Sequence, residues 1–199
     1  SREAYDLVED MLLKIAAQTE EGPCCTYVGN GSAGHFVKML HNGIEYGMMQ
    51  AISEAYDILR KVLKLSADEI SNVFEGWNGG ELNSFLMEIS FKLMRHKDEE
   101  TGKPIVELIL DRAGQKGTGK WTTETALNIG IPAPSLDAAV ESRVLSYFKE
   151  DRINLSKKVN KEYPENSYDK EKVIKDLEDS FLFSYLILFS QGLWIISEA

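Results

Sequence analysis

The sequence is poor in cysteine, histidine, proline and positive charge. Its 199 residues include two cysteines, three histidines and five prolines, and the formal net charge is -10. The cysteines, Cys24 and Cys25, are neighbours, and adjacent residues rarely meet disulfide geometry, so we expect a reduced, cytoplasmic setting. The negative charge argues against a nucleic-acid partner, because binding to a phosphate backbone requires a basic surface.

Long apolar runs, targeting signals and metal-binding patterns are also scarce. No signal peptide pattern opens the chain. The apolar run 181–196 contains 16 residues interrupted by polar ones, so we expect a buried helix and no membrane span. The histidines, His35, His41 and His96, lack the spacing typical of a metal site, and we expect no metal.

Helical periodicity covers most of the chain and predicts a mainly α fold with one long central helix, 34–64. Further helices are predicted at 2–18, 82–95, 120–129, 135–148, 151–160 and 168–196, with a loop at 163–167. Ser66 and Glu69 have the spacing of a capping box at the start of another helix.

One short strand is predicted at 24–28, where residues that favour strands precede Gly29. An isolated strand cannot satisfy its own backbone hydrogen bonds. We therefore expect the first 28 residues to be the last helix and strand of an α/β domain whose remainder is missing. The chain also stops at an apolar helix, so both ends look cut.

The central helix carries a polar cluster on one face. At about 100° per residue, Lys38, His41, Asn42 and Glu45 fall within an arc of roughly 100°. An adjacent arc is apolar and predicts the buried side of the helix: Val37, Leu40, Ile44, Ala51, Ala55 and Val62. A base, an acid and two orienting groups on one rigid surface are typical of proton-transfer chemistry.

Two glycine-rich loops are similar to nucleotide-binding motifs. The first, 29–34, matches GxGxxG between the strand and the long helix. A dinucleotide site also requires a second parallel strand after a short helix, and none follows. We therefore favour a flexible, close-packed junction between strand and helix, at which Gly34 lets substrate or cofactor approach the backbone.

The second loop, 114–120, nearly matches the P-loop motif. Trp121 stands where that motif requires a hydroxyl for magnesium, which argues against a nucleotide triphosphatase. Two interpretations remain open. Lys116, Thr118 and Lys120 can bind a single phosphate together with backbone N–H groups, or the segment is a mobile surface loop.

Three segments, 31–47, 111–122 and 138–143, resemble the 6-phosphogluconate dehydrogenase family in sequence, order and spacing. The element HNGIEYG at 41–47 is the most specific of them. The resemblance implies an N-terminal Rossmann domain for NADP, an all-helical domain and a homodimer. Residues 1–30 would then be the end of the first domain. Residues 31–199 would be most of the 6-phosphogluconate-binding and dimerisation domain, and we expect the chain to be inactive alone.

The resemblance also implies roles for individual residues. The family oxidises and decarboxylates 6-phosphogluconate to ribulose 5-phosphate and carbon dioxide while NADP is reduced. Lys38 matches the general base and Glu45 the acid, with Asn42 and His41 binding the substrate. The matches to the 6-phosphate site are Tyr46, Lys116, Thr118 and Arg143. Burial or neighbouring cations are needed to lower the pKa of such a lysine, and burial to raise that of such a glutamate.

Two alternatives remain. Another β-hydroxyacid dehydrogenase would oxidise without decarboxylation, but Glu45 and the 116–120 loop have no purpose in that reaction. A non-catalytic helical module for dimerisation is compatible with the apolar helices 34–64 and 168–196.

Overall fold

The computed structural model describes residues 1–159 and 168–199, which are mainly helical. Two short helices and two short strands come first: α1 (Arg2–Asp6), α2 (Glu9–Ile15), β1 (Gln18–Thr19) and β2 (Gly22–Pro23). Seven helices follow: α3 (Ala33–Lys61), α4 (Ala67–Asn78), α5 (Phe85–Arg95), α6 (Thr118–Ile129), α7 (Pro134–Ser146), α8 (Lys149–Ser156) and α9 (Lys170–Glu198). A 3-10 turn, Ile105–Glu107, lies between α5 and α6. The mainly α fold is confirmed, and the loop predicted at 163–167 lies outside the described residues.

The long helix α3 is the centre of the fold. Its buried side repeats every three or four residues and consists of Leu40, Gly43, Ile44, Gly47, Met48, Ile52, Ala55 and Leu59. That spacing places one stripe of the helix against α6, α7 and α9. Of the predicted apolar stripe, Leu40, Ile44 and Ala55 are buried, whereas Val37, Ala51 and Val62 are only partly covered. Burial of each large aliphatic side chain contributes about 1.5–3 kcal/mol.

Glycines let the neighbouring helices approach α3 closely. A Cβ atom on Gly43 would lie 2.6 Å from Thr122 of α6, and one on Gly47 would lie 2.2 Å from Leu188 of α9. In return, a Cβ atom on Gly192 of α9 would lie 2.4 Å from Ile44. Side chains larger than hydrogen at these positions would push the helices apart.

Helices α4 and α5 form a hairpin packed against α3 and α9. The predicted capping box is confirmed, because Glu69 N–H donates to Ser66 Oγ at 3.3 Å and Ser66 N–H donates to Glu69 Oε2 at 2.7 Å. Trp77 of α4 lies 5.9 Å, ring centroid to ring centroid, from Phe181 of α9. This aromatic contact attaches the hairpin to the C-terminal helix.

Helix α9 is buried along one side only. It is longer than the predicted apolar run, with 29 residues, and Phe181, Tyr185, Leu188, Gly192 and Ile195 are buried. Within the described ranges it is the one helix that is long and apolar enough to span a membrane. Its opposite face exposes large apolar side chains: Phe183, Leu186, Phe189, Leu193 and Trp194. The expectation of a buried helix therefore holds for one face.

The strand predicted at 24–28 was wrong. Across 1–159 and 168–199, the strands are β1 and β2, in which Gln18 pairs with Pro23 and Thr19 with Gly22 in antiparallel register. Residues 24–28 have no hydrogen-bonded strand partner. Residues that favour strands cannot form one without a neighbour to bond with, which a local pattern does not reveal.

Candidate active site

The polar cluster lies on the face of α3 next to its buried stripe. Lys38 and His41 are exposed, and Asn42, Glu45 and Tyr46 are half-buried. Tight packing of Gly43 and Gly47 against α6 and α9 fixes the rotation of α3. The cluster is therefore held in one orientation.

Lys38, His41 and Glu45 form a continuous polar chain along one side of α3. Lys38 Nζ lies 2.9 Å from His41 Nδ1, and the same Nδ1 lies 3.4 Å from Glu45 Oε2. An imidazole nitrogen either accepts or donates a single hydrogen bond. Nδ1 can thus accept from Lys38 in one protonation state and donate to Glu45 in the other, which links the base and acid candidates through one atom.

A cleft of about 530 Å³ opens beside this chain. Its walls come from α3, from the glycine-rich loop before α6, and from α7. The lining residues are Asn42, Glu45, Tyr46, Gly114, Gln115, Lys116, Thr118 and Arg143. The structure thus brings six of the eight predicted site residues into one cleft. Lys38 and His41 lie beside the cleft, and His41 connects Lys38 to Glu45, which lines it.

Arg143 connects the three walls of the cleft. Its guanidinium carbon lies 3.8 Å from the centroid of the Tyr46 ring on α3. Its Nη1 donates to the carbonyl oxygen of Gly114 at 2.9 Å, and its Nη2 contacts Met49 Sδ at 3.8 Å. A cation stacked on an aromatic face and bonded to the loop has a defined position.

The glycine-rich loop turns into α6 at the floor of the cleft. Gly117 has a φ of 104° and stands immediately before Thr118, the first residue of α6. This left-handed conformation favours glycine, and the first N–H groups of α6 have no partner within the helix. A Cβ atom on the following glycine, Gly119, would lie 2.6 Å from the Tyr46 ring, so α6 reaches α3 beneath the cleft.

The segment before this loop is bound to the junction of α7 and α8. Lys149 and Arg152 donate to the carboxylate of Asp111, and these bonds lower the pKa of Asp111 to about 2. Ala113 N–H donates to Ser146 Oγ at 2.9 Å. The sequence did not predict these contacts, because their partners lie far apart in the chain.

Two further lining residues were also missed, Gly114 and Gln115. Both belong to the loop from which Lys116 and Thr118 were chosen, so their position beside Lys116 was the available signal. The Oε1 atom of Gln115 is buried without a hydrogen-bond partner. An amide so close to the cleft is a candidate to reorient toward a bound ligand.

The other glycine-rich segment borders a separate hollow of about 430 Å³, lined by Tyr27, Gly29, Gly31, Gly34 and His35 among others. A Cβ atom on Gly31 or Gly34 would meet nothing within 4 Å. The backbone here is open to a ligand, and the close-packed junction that we expected is loose at these two glycines. No set of three or more His, Cys, Asp or Glu side chains able to hold a metal occurs within 1–159 and 168–199.

The protein is therefore of the mainly helical class, and its long central helix and cationic glycine-rich loop line one cleft. The family model for the 6-phosphogluconate dehydrogenase C-terminal domain matches residues 34–199. The chain therefore belongs to the 6-phosphogluconate dehydrogenase family.

Individual relatives agree. The NADP(+)-dependent, decarboxylating 6-phosphogluconate dehydrogenase of Bacillus subtilis is 48% identical over 192 residues, which cover 96% of this chain and 41% of that protein. The decarboxylating enzyme 1 of Oryza sativa is 46% identical over 98% of this chain and 41% of its own length. An NAD(+)-dependent enzyme of Bacillus subtilis is 44% identical over 96% of this chain and 41% of its own length. The chain thus spans about two fifths of the curated relatives it matches.

A solved structure supports the fold directly. The 6-phosphogluconate dehydrogenase of Plasmodium falciparum matches with a TM-score of 0.93 and 43% identity, over 99% of this chain and 43% of that one. That protein has been solved in its apo form, with its cofactor NADP+ and with its substrate 6-phosphogluconate.

Proposed function

We propose that this chain supplies the 6-phosphogluconate site of an NADP-dependent, decarboxylating 6-phosphogluconate dehydrogenase. The reaction would convert 6-phosphogluconate to ribulose 5-phosphate and carbon dioxide. The observation that carries the proposal is the convergence of Glu45, Lys116 and Arg143 from three separate elements in one cleft. Two cationic side chains can bind the phosphate of a sugar acid, and the neighbouring carboxyl group of Glu45 can transfer a proton to it.

The phosphate of the substrate would bind at the loop end of the cleft. Lys116 and Arg143 provide charge-assisted hydrogen bonds, and Arg143 is already oriented by the Tyr46 ring. Thr118 adds a hydroxyl at the first turn of α6, where free N–H groups favour an anion. Because the chain as a whole is negative, a local cationic site is needed to attract such a substrate.

The reacting carbons would lie toward Lys38 and Glu45. NADP, when bound, accepts a hydride from the substrate. Lys38 takes the proton of the 3-hydroxyl and then, protonated, polarises the new carbonyl so that carbon dioxide can leave. As carbon dioxide leaves, Lys38 returns its proton to the carbonyl oxygen, which gives an enediol. Glu45 then protonates C1 of the enediol while Lys38 takes the hydroxyl proton back, and Asn42 and His41 hold the substrate and the lysine.

The proposal assigns no residue of this chain to the pyrophosphate of NADP. The described residues contain no pair of parallel strands of the kind that carries a dinucleotide. The open backbone at Gly31 and Gly34, next to the start of α3, is compatible with the approach of the reactive end of the cofactor. We propose NADP as the cofactor, and NAD is the second candidate because an NAD(+)-dependent relative matches as well.

We further propose that residues 1–30 belong with an NADP-binding domain and residues 31–199 form the substrate and dimerisation domain of a cytoplasmic homodimer. The exposed apolar face of α9 supports this, since surfaces of that kind mark interfaces. Sedimentation that shows a monomer at all concentrations would argue against the dimer.

The test of the proposed function is a chimera. These 199 residues replace the matching segment of the NADP(+)-dependent Bacillus subtilis enzyme, and NADPH formation and carbon dioxide release are measured with 6-phosphogluconate. Equal amounts of both products support the proposal. NADPH without carbon dioxide would favour the plain β-hydroxyacid dehydrogenase.

A calorimetric titration of the chain itself tests the remaining alternative. Binding of 6-phosphogluconate that weakens in a Lys116→Ala variant supports a substrate site. Absence of heat in both the wild type and the variant would favour a non-catalytic module.

A further inference from the structure

Residues 111–113, which lead into the glycine-rich loop at 114–120, are bound by side chains of the α7–α8 junction. At Asp111, both carboxylate oxygens are bonded: Lys149 Nζ donates to Oδ1 and Arg152 Nη1 donates to Oδ2 at 2.9 Å. At the next residue, the guanidinium of Arg112 lies 4.9 Å from the centroid of the Tyr147 ring. Two consecutive side chains are thus fixed on the same surface.

The backbone of the same segment is bonded as well. Arg152 Nη2 donates to the carbonyl oxygen of Asp111 at 2.8 Å and to that of Ser146 at 3.1 Å. Ala113 N–H donates to Ser146 Oγ at 2.9 Å, and Arg143 Nη1 donates to the carbonyl oxygen of Gly114 at 2.9 Å. Four successive residues, 111–114, are therefore attached to one junction, and the next ones line the cleft.

We propose that Asp111, with Arg152 and Ser146, is a positioning element that sets the place of Lys116 and of the loop beneath the substrate phosphate. This inference rests on the proposed function. The segment has no regular secondary structure between the 3-10 turn and α6, so its course depends on these tertiary bonds. A loop that donates several groups to one phosphate must hold them within a few tenths of an ångström.

The arrangement is suited to positioning rather than to stability. The Asp111 side chain is 57% exposed and that of Arg152 is 39% exposed. Ion pairs of this kind contribute little to the free energy of unfolding. A network that bonds both a carboxylate and successive backbone groups does restrict geometry, because each bond fixes a different atom of the same short segment.

The experiment compares four variants of the chain by calorimetric titration with 6-phosphogluconate. Asp111→Asn removes the charge and keeps the shape, and Ser146→Ala removes the bond to Ala113 independently. Asp111→Glu keeps a carboxylate that the two cations can bind. The matched control is Asp98→Asn, since the carboxylate of Asp98 also accepts local hydrogen bonds, from Thr101, but lies outside the cleft lining.

We expect Asp111→Asn and Ser146→Ala to bind about fivefold more weakly, and Asp111→Glu and Asp98→Asn to stay within about twofold of the wild type. The Tm of each variant should change by less than about 4 °C. Hydrogen exchange measured by mass spectrometry should accelerate across 112–118 in the first two variants and stay unchanged in α4 and α5.

Wild-type affinity in both Asp111→Asn and Ser146→Ala would overturn the inference. So would a loss of affinity accompanied by faster exchange throughout the chain, because that pattern reports general destabilisation. A wild-type chain that gives no binding heat at all would instead count against the proposed function, which separates the two failures.

Discussion

The guanidinium of Arg143 lies over the face of the Tyr46 ring, with its central carbon 3.8 Å from the ring centroid. The two residues come from α7 and α3, which form two of the three walls of the cleft. The same arginine bonds Gly114 of the loop opposite. One side chain of α7 therefore contacts both α3 and the loop at the proposed phosphate site.

Substitution of Arg143 by lysine should weaken 6-phosphogluconate binding about tenfold or more. Lysine keeps the charge but loses the planar face over Tyr46 and the fork that reaches Gly114. Calorimetric titration measures the effect. Arg95→Lys is the matched control, because the guanidinium of Arg95 lies 5.9 Å from the centroid of the Phe91 ring on α5 but does not line the cleft. Equal losses in the two variants would contradict the role given to Arg143.

Gly119→Ala should destabilise the fold and weaken ligand binding in the cleft. The new Cβ atom would lie 2.6 Å from Cε2 of Tyr46 and 3.0 Å from Cγ2 of Val140. Overpacking of this kind typically costs about 1–3 kcal/mol, and it would also shift the Tyr46 ring away from Arg143.

Thermal unfolding and ligand titration of Gly119→Ala should both show losses. Gly76→Ala on α4 is the control, because its Cβ atom would meet nothing within 4 Å and alanine favours a helix by up to about 1 kcal/mol. A Gly119→Ala variant as stable as Gly76→Ala would show that the contact with Tyr46 is unimportant.

Lys38→Met should abolish turnover of the chimera and leave 6-phosphogluconate binding within about threefold, because the proton acceptor is lost but the phosphate contacts remain. Glu45→Gln should lower kcat more than it raises KM, since it removes the proton donor to C1. Steady-state kinetics and titration check both. Lys92→Met on α5, an exposed lysine paired with Glu88, should behave like the wild type. Normal turnover in Lys38→Met would refute its assignment as base.

The stability contributed by Asp111 should depend on pH in a defined window. Lys149 and Arg152 hold the pKa of Asp111 at about 2, below its ordinary value of 3.8. A lowered folded-state pKa stabilises the fold above the unfolded value, and this contribution disappears as pH falls through the folded value.

The Tm difference between the wild type and Asp111→Asn, which should stay below about 4 °C because the ion pairs are exposed, should therefore be constant above about pH 5 and disappear as pH falls through about 2. Thermal unfolding followed by circular dichroism at several pH values tests this. A difference that grows toward low pH would contradict the ion pairs described for Asp111.

Much of the helical fold was predictable because its signals are local. The stripe on α3 follows from residue spacing, and the cap at Ser66 needs only Glu69 three residues later. The polar face of α3 follows from the same spacing: Asn42 and Glu45 line the cleft, whereas Lys38 lies beside it and is joined to Glu45 through His41. The assignment of chemical roles to these residues stays a prediction.

The features that the sequence did not reveal depend on distant partners. Residues 24–28 have the composition of a strand, but pairing is decided by another segment. The bonds of Asp111 to Lys149 and Arg152 join separate parts of the chain and follow no period. The exposed face of α9 is as apolar as its buried face, so composition alone could not distinguish them.

Gly43 and Gly47 have a consequence for how substrate preference can be altered. Because these two residues have no side chain, Thr122 and Leu188 can pack directly against the backbone of α3. Any bulkier residue at either position would rotate α3 and move every group of its polar cluster. Engineering for other phosphorylated acids should therefore keep both glycines, and also the proposed phosphate-binding residues Lys116, Thr118 and Arg143.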